Sequence, residues 1–236
     1  MIKRLLFSCI QKAVQLTYGR DNNGLNVYMF HRVYDGKTPE LDRNISISKE
    51  SFEAFISSIQ ESGIQIVSTA DIGLYLTNQF ACITFDDVYS DAIENAIPFL
   101  QKYKIPYTVF ITLNLIDSDQ YISSDQIVEL RKDPLCTIGF HTNKHLLMRQ
   151  QPYDSICEDV DCSKFEKAFG IEVFEFAFPY GSIFAINREA IRIAKNMKYN
   201  NIFSTLSLSI NDKTYKKFRY FLPRININDR NFRDYC

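Results

Sequence analysis

The sequence predicts an α/β protein built on a parallel sheet. Strand-like apolar runs alternate with helical patterns along 236 residues, and neither an internal repeat nor a Pro/Gly/Ser-rich linker divides the chain. This alternation gives βα units, and seven of them in this length point to a barrel over an open doubly wound sheet. Periodicity alone does not separate those two architectures. Hydrophobic residues make up 46%, with 19 Phe and 14 Tyr, so the chain has the material for one large core rather than a disordered segment.

Residues 1–20 open with a basic start and place Ile2, Leu5, Leu6, Cys9, Ile10 and Val14 on one face at helical spacing. Gln11, Lys12 and Gln15 interrupt the run, which is too short and polar to span a bilayer and lacks a signal-peptidase pattern. An amphipathic helix is expected, with peripheral membrane association as its functional rival. A single domain is then expected over residues 21–236. Without an export pattern the expected location is the cytoplasm, with the inner membrane face as the surface to dock on.

Strands are expected at 25–30, 64–68, 81–85, 107–112, 137–140, 173–178 and 201–204, where apolar and β-branched residues cluster. Helices are expected between them at 48–62, 69–76, 92–103, 123–131, 155–169 and 187–197. Thr69 with Asp71, and Ser123, supply capping chemistry at two of the starts. The net charge of −1 and the lack of a basic stripe argue against a nucleic-acid partner. Six cysteines without CxxC spacing read as small hydrophobes in a reducing compartment, not as a disulfide framework.

The chemistry sits where strands end. The run 81–85 terminates in Asp86 and Asp87, which a parallel sheet would project at its carboxyl edge. Adjacent side chains on a strand point to opposite sides, so the two acids are expected to do different jobs, one at a metal and one at a proton. Two of the three histidines follow strand 137–140 as His141-Thr142-Asn143-Lys144-His145, a spacing that lets both imidazoles reach one ion. One Asp plus two His is a three-ligand set that leaves room for water and substrate. The strand at 173–178 runs into Pro179-Tyr180-Gly181, a turn able to aim a backbone N–H into a pocket, or simply to end a strand.

Taken together, these segments resemble the polysaccharide deacetylase family, the NodB-like metal-dependent carbohydrate esterases. Thr84-Phe85-Asp86-Asp87 is similar to its T-F-D-D motif, His141 to His145 to its H-[ST]-x-x-H motif, and Pro179-Tyr180-Gly181 to its P-Y-G motif. The helix opening at Ser123 also has a counterpart, and the resemblance runs from about residue 25 to 225. It implies a distorted, incomplete (β/α) barrel and removal of an N-acetyl or O-acetyl group from a sugar. It implies Asp87, His141 and His145 as ligands of a divalent metal, zinc by preference, and Asp86 as general base. The Tyr180 N–H would stabilise the oxyanion. The implied partner is an acetylated polysaccharide, lipid-linked oligosaccharide or glycan precursor.

The chain also departs from the pattern. Val88 stands where the family usually has Gly, Ala177 where many members carry an Arg that orients the base, no Trp occurs, and no His follows position 145. Two segments resemble the exopolysaccharide-modifying branch and offer replacements. Tyr28-Met29-Phe30-His31-Arg32-Val33 implies His31 as the general acid, and Leu222-Pro223-Arg224-Ile225 implies Arg224 as the charge missing at Ala177. The rival from another class is a catalytically weakened barrel that binds glycan. A haloacid-dehalogenase-type phosphatase is disfavoured because that class spaces its aspartates D-x-D.

Overall fold

Alternating apolar side chains drive the strands. In the computed structural model, which describes residues 24–36, 42–77 and 79–236, most of them join one sheet. In chain order the strands are β1 (Leu25–Phe30), β2 (Arg32–Tyr34), β3 (Ser46–Ser48), β4 (Gln65–Ile66), β5 (Phe80–Asp86), β6 (Tyr107–Ile111), β7 (Cys136–Phe140), β8 (Glu175–Ala177), β9 (Asn201–Phe203) and β10 (Ile225–Asn226). Eight of them form a parallel sheet in the order β10-β1-β5-β6-β7-β8-β9, with β4 paired to the start of β5; β2 and β3 form a separate pair. Leu222 makes a parallel bridge to Phe203 of β9, and Ile225 and Asn226 pair with Tyr28 and Met29 of β1. The stretch 222–226 therefore crosses from one end of the sheet to the other, and the curled sheet is an incomplete (β/α) barrel.

Period-two alternation sorts side chains into two cores. Val27, Cys82, Phe110, Ala177 and Phe203 fill the inside of the curl, with Ile72 and Leu222. Tyr28, Phe30, Ile83, Phe85, Val109, Phe140, Phe176 and Ile202 face outward under the helices. The interior is tight: a Cβ at Gly139 of β7 would come within 2.6 Å of the Phe110 ring.

The helices are α1 (Lys49–Glu61), α2 (Ser90–Asn95), α3 (Ile97–Lys102), α4 (Ser124–Leu130), α5 (Tyr153–Val160), α6 (Ser163–Phe169), α7 (Arg188–Asn196) and α8 (Asp212–Lys217). α1 starts where the Ser48 side chain accepts from the Ser51 N–H, and it buries Phe52, Phe55, Ile56 and Ile59. Ser123 and Gln126 close a reciprocal capping box on α4.

Several expectations need correction. The helix expected over 92–103 breaks at Ala96, because Pro98 has no N–H to continue the ladder. The helix over 155–169 breaks at Asp161, which accepts from the Ser163 N–H and hydroxyl, a local bond that competes with helix continuation. The segment 69–76 is a 3₁₀ helix, Thr69–Leu74, capped by Ser68 rather than Thr69. The strands expected at 64–68 and 173–178 shrink to β4 and β8. β2, β3, β10 and α8 are too short to show a period in sequence. The helix expected at 1–20 lies outside the described residues, as does Cys9; Cys82, Cys136, Cys157, Cys162 and Cys236 are free thiols. No helix among the described residues is long and apolar enough to cross a membrane.

Candidate metal centre and active site

Asp86 ends β5 on the same side as Cys82 and Thr84, so it points into the barrel mouth. There it meets Arg224, which is fully buried. The guanidinium grips both carboxylate oxygens, Nη1 to Oδ1 and Nη2 to Oδ2, each at 2.6 Å. Nε donates to the Ser204 carbonyl at 3.1 Å, and the guanidinium carbon lies 5.2 Å from the Phe110 ring centroid. Burial alone would raise the Asp86 carboxyl, but Arg224 first, then His141, outweigh it and hold the group down to about 2. Asp86 is therefore an anion at neutral pH.

Asp87 does not point away from Asp86, as strand geometry would require. It has left the strand: Asp87 and Val88 both adopt left-handed backbone, with φ of 60° and 53°. This fold-back carries the second carboxylate to the same mouth, so what separates the two acids is their partners. Asp86 has Arg224. Asp87 Oδ1 is buried without a hydrogen-bond partner, 3.2 Å from His145 Nε2 and 3.7 Å from His141 Nε2. Burial is the main cause that raises its carboxyl to about 6. Val88 keeps the sharp turn that Gly usually makes by burying its side chain completely in the outer core.

His141 follows β7 directly, and its backbone N–H continues the ladder to the Ile111 carbonyl at 2.8 Å. Its Nδ1 lies 2.8 Å from the Ala177 carbonyl, a contact that places the proton on Nδ1 and leaves the Nε2 lone pair for a ligand. His145 also sits in left-handed backbone, φ 55°. The imidazole centroids are 5.1 Å apart. Burial lowers both histidines, His141 to about 3, so both rings are neutral at physiological pH. One ligand atom each from Asp87, His141 and His145 lies within 4.8 Å of the others. An orphaned carboxylate oxygen beside two neutral imidazoles is a donor set that fits a divalent cation of the zinc class.

The remaining expected residues surround this trio. Tyr180 has φ 60° and lays its ring edge-on to His145, centroids 4.8 Å apart. Gly181 fits only as glycine, because a Cβ there would sit 2.4 Å from Thr205. His31 follows β1; its Nδ1 is buried without a partner, and burial lowers it against the pull of Asp86 and Asp87. A cavity of about 860 Å³ joins His31, Asp86, Asp87, both other histidines and Tyr180. All seven expected site residues therefore converge, six on the cavity and Arg224 behind Asp86.

Other groups escaped the sequence reading. Tyr89 and Tyr121 form a tilted ring pair (4.6 Å) on the cavity wall, backed by Arg32 at 4.7 Å from the Tyr89 centroid. Asp159 braces the histidine loop from α5. Their only sequence signal is residue type, and that does not distinguish a cavity wall from any other surface.

The sequence model of the family described as polysaccharide deacetylase matches residues 76–202, more than half of the chain. The chain belongs to the polysaccharide deacetylase family. The matched span holds the acid pair, the histidine pair and Tyr180, while His31 and Arg224 lie outside it. Among curated relatives, the poly-beta-1,6-N-acetyl-D-glucosamine N-deacetylase of Staphylococcus aureus (strain MSSA476) is 27% identical over 213 residues, covering 80% of this chain and 70% of its own. Among solved structures, IcaB from Ammonifex degensii superposes with a TM-score of 0.76 at 21% identity, over 89% of this chain and 94% of its own. The deacetylase PplD of Streptococcus pyogenes, solved in complex with acetate, gives 0.76 at 19% identity, over 87% and 92%. At these identities the two structures establish the deacetylase fold.

Proposed function

We propose that this chain is a metal-dependent hydrolase that removes N-acetyl groups from the sugar units of a polysaccharide. The reading rests above all on one observation: three ligand atoms within 4.8 Å of one another lie beside a second carboxylate that a buried guanidinium grips through both oxygens. Asp87, His141 and His145 would hold the cation, zinc by donor type. A bound zinc ion supplies Lewis acidity, polarising the acetyl carbonyl and making water a better nucleophile near neutral pH.

The protein's own groups do the rest. Asp86, kept charged by Arg224, accepts a proton from the attacking water at Oδ2, the oxygen 3.9 Å from His141 Nε2. The water oxygen bonds to the carbonyl carbon, and the Tyr180 N–H, presented by a left-handed turn, stabilises the negative oxygen that develops. The C–N bond then breaks. The proton that Asp86 took from the water passes by way of His31 to the departing nitrogen, so acetate and a free amine leave. The tyrosines of the cavity suit the apolar face of a pyranose ring. The relative named for poly-beta-1,6-N-acetyl-D-glucosamine makes β-1,6-linked oligomers of N-acetylglucosamine the first substrate to try.

The test is acetate release from a panel of N-acetylhexosamine oligomers, with and without chelator. Turnover that chelation abolishes and zinc restores is the expected result. Turnover unaffected by chelator would refute the metal assignment, and binding without turnover of any acetylated sugar would favour a glycan-binding role.

A further inference from the structure

The loop carrying both histidines is unusually constrained, and the constraint comes from outside the catalytic set. Thr142 and His145 both adopt left-handed backbone (φ 75° and 55°), a costly conformation for residues with a Cβ, held only where surroundings over-determine it. Asp159, on the last turn of α5 and with no solvent exposure, supplies that hold. Its carboxylate accepts from the backbone N–H of Lys144 through Oδ1 (2.5 Å) and of Leu146 through Oδ2 (3.2 Å), the residues on either side of His145. It also bonds the Thr142 hydroxyl, whose oxygen in turn accepts from the His145 N–H at 3.0 Å.

The loop returns the grip. The Asn143 side-chain amide donates to the carbonyls of Glu158 (2.7 Å) and Asp161 (2.8 Å), and its backbone N–H donates to the Asp159 carbonyl (2.9 Å). The C-terminal carbonyls of α5, which have no partner within the helix, are thus used to seat the loop.

We propose that Asp159 is a positioning residue for the metal centre, fixing His145 in the left-handed geometry that keeps its Nε2 beside Asp87. Asp159 touches neither substrate nor ion; it acts by sparing the histidine loop an ordering cost on binding. The proposal rests on the reading of Asp87, His141 and His145 as ligands. It is tested on the full chain by zinc affinity, through competition with a chromogenic chelator at neutral pH, and by thermal unfolding of the metal-free protein. Asp159→Asn keeps the size but turns an acceptor into a donor that faces a backbone N–H, so zinc binding should weaken roughly 10- to 100-fold. Asn143→Ala, which removes the reciprocal bonds, should weaken it in the same direction and carries the test if Asp159→Asn does not fold.

Asp133→Asn is the control. Asp133 clamps Gln101, Tyr107 and the Leu135 N–H at the other end of β6 and β7. It should lower the unfolding temperature and leave zinc affinity within about twofold, since no ligand depends on it. Equal zinc affinity in the wild type and both loop variants overturns the proposal, as does an equal loss in Asp133→Asn. An unmodified chain that binds no zinc overturns the ligand assignment, and the proposal with it.

Discussion

Arg224 decides what kind of acid Asp86 is. A carboxyl buried as Asp86 is would otherwise hold its proton, as Asp87 does up to about 6; the fork of Arg224 reverses this. Arg224→Met should therefore reduce acetate release by about 10²-fold or more, the usual loss when a general base is disabled. Arg224→Lys should fall between, because a point charge cannot bond both oxygens at once. Activity of Arg224→Lys equal to wild type would show that the fork does not matter. Asp87 yields a second prediction at this scale. Protons compete with a cation for its carboxylate, so zinc affinity should fall as pH drops through about 6, and titration from pH 7.5 to 5 measures it. A flat profile would exclude Asp87 as a ligand. Val88 can be weighed by magnitude. Glycine would relieve left-handed strain of about 1–2 kcal/mol but forfeit a buried side chain worth about 1.5–3 kcal/mol and loosen the unfolded chain. Burial wins, so Val88→Gly should lower stability by roughly 1 kcal/mol in denaturant unfolding.

Elements place these residues, and they were legible in sequence to different degrees. The segments that bring Asp87, His141 and His145 together are readable because Asp87 and His141 directly follow strands whose apolar runs are local and strong, and His145 lies one loop turn further on. The geometric reason for giving the two acids different roles does not hold: opposite faces are expected of a strand, and a left-handed fold-back puts both carboxylates in one mouth. Asp159 was hidden because it sits within a stretch that reads as one helix over 155–169. The interruption at Asp161 depends on a side-chain bond to Ser163 that competes with the helix ladder. The expected helix over 92–103 runs through Pro98, and the proline breaks it. α1 is the clearest case of pattern becoming packing. Phe52 meets Phe30 and Phe85 at centroid distances of 5.1 and 6.0 Å and is fully buried. Phe52→Ala should cost about 3–5 kcal/mol of stability by denaturant titration, with zinc affinity retained in the folded fraction.

At the scale of the whole molecule two buried carboxyls at opposite ends of the barrel, Asp86 and Glu175, have opposite pH behaviour. At the mouth, the Asp86–Arg224 pair stabilises the fold above the ordinary carboxylate range, and that contribution is lost as pH falls toward about 2. At the opposite end, Glu175 opens β8 with Oε2 buried and unpartnered and Oε1 accepting from Asn201. Burial pushes its carboxyl up to about 8. Between the unfolded value and about 8 the native state keeps a proton that the unfolded chain has released, so this group's contribution declines as pH rises. Glu175→Gln should therefore stabilise the protein at pH 8 relative to pH 5, as thermal unfolding at the two values would reveal. A constant difference between variant and wild type across that range would rule out a protonated Glu175.

The stretch 222–226, which joins β9 to β1, is also the stretch that delivers Arg224. Docking of that stretch and pairing of Asp86 with its guanidinium are thus a single assembly event. A chain that has folded through β9 but not yet docked its last segment would already own the three ligand groups, yet its base would lack the guanidinium that holds it charged and in place. During refolding, zinc uptake should run ahead of acetate release, and the lag between them would time the closing of the seam. On the proposed mechanism the site would stay silent until that segment is docked, so a partly folded chain could not attack glycan.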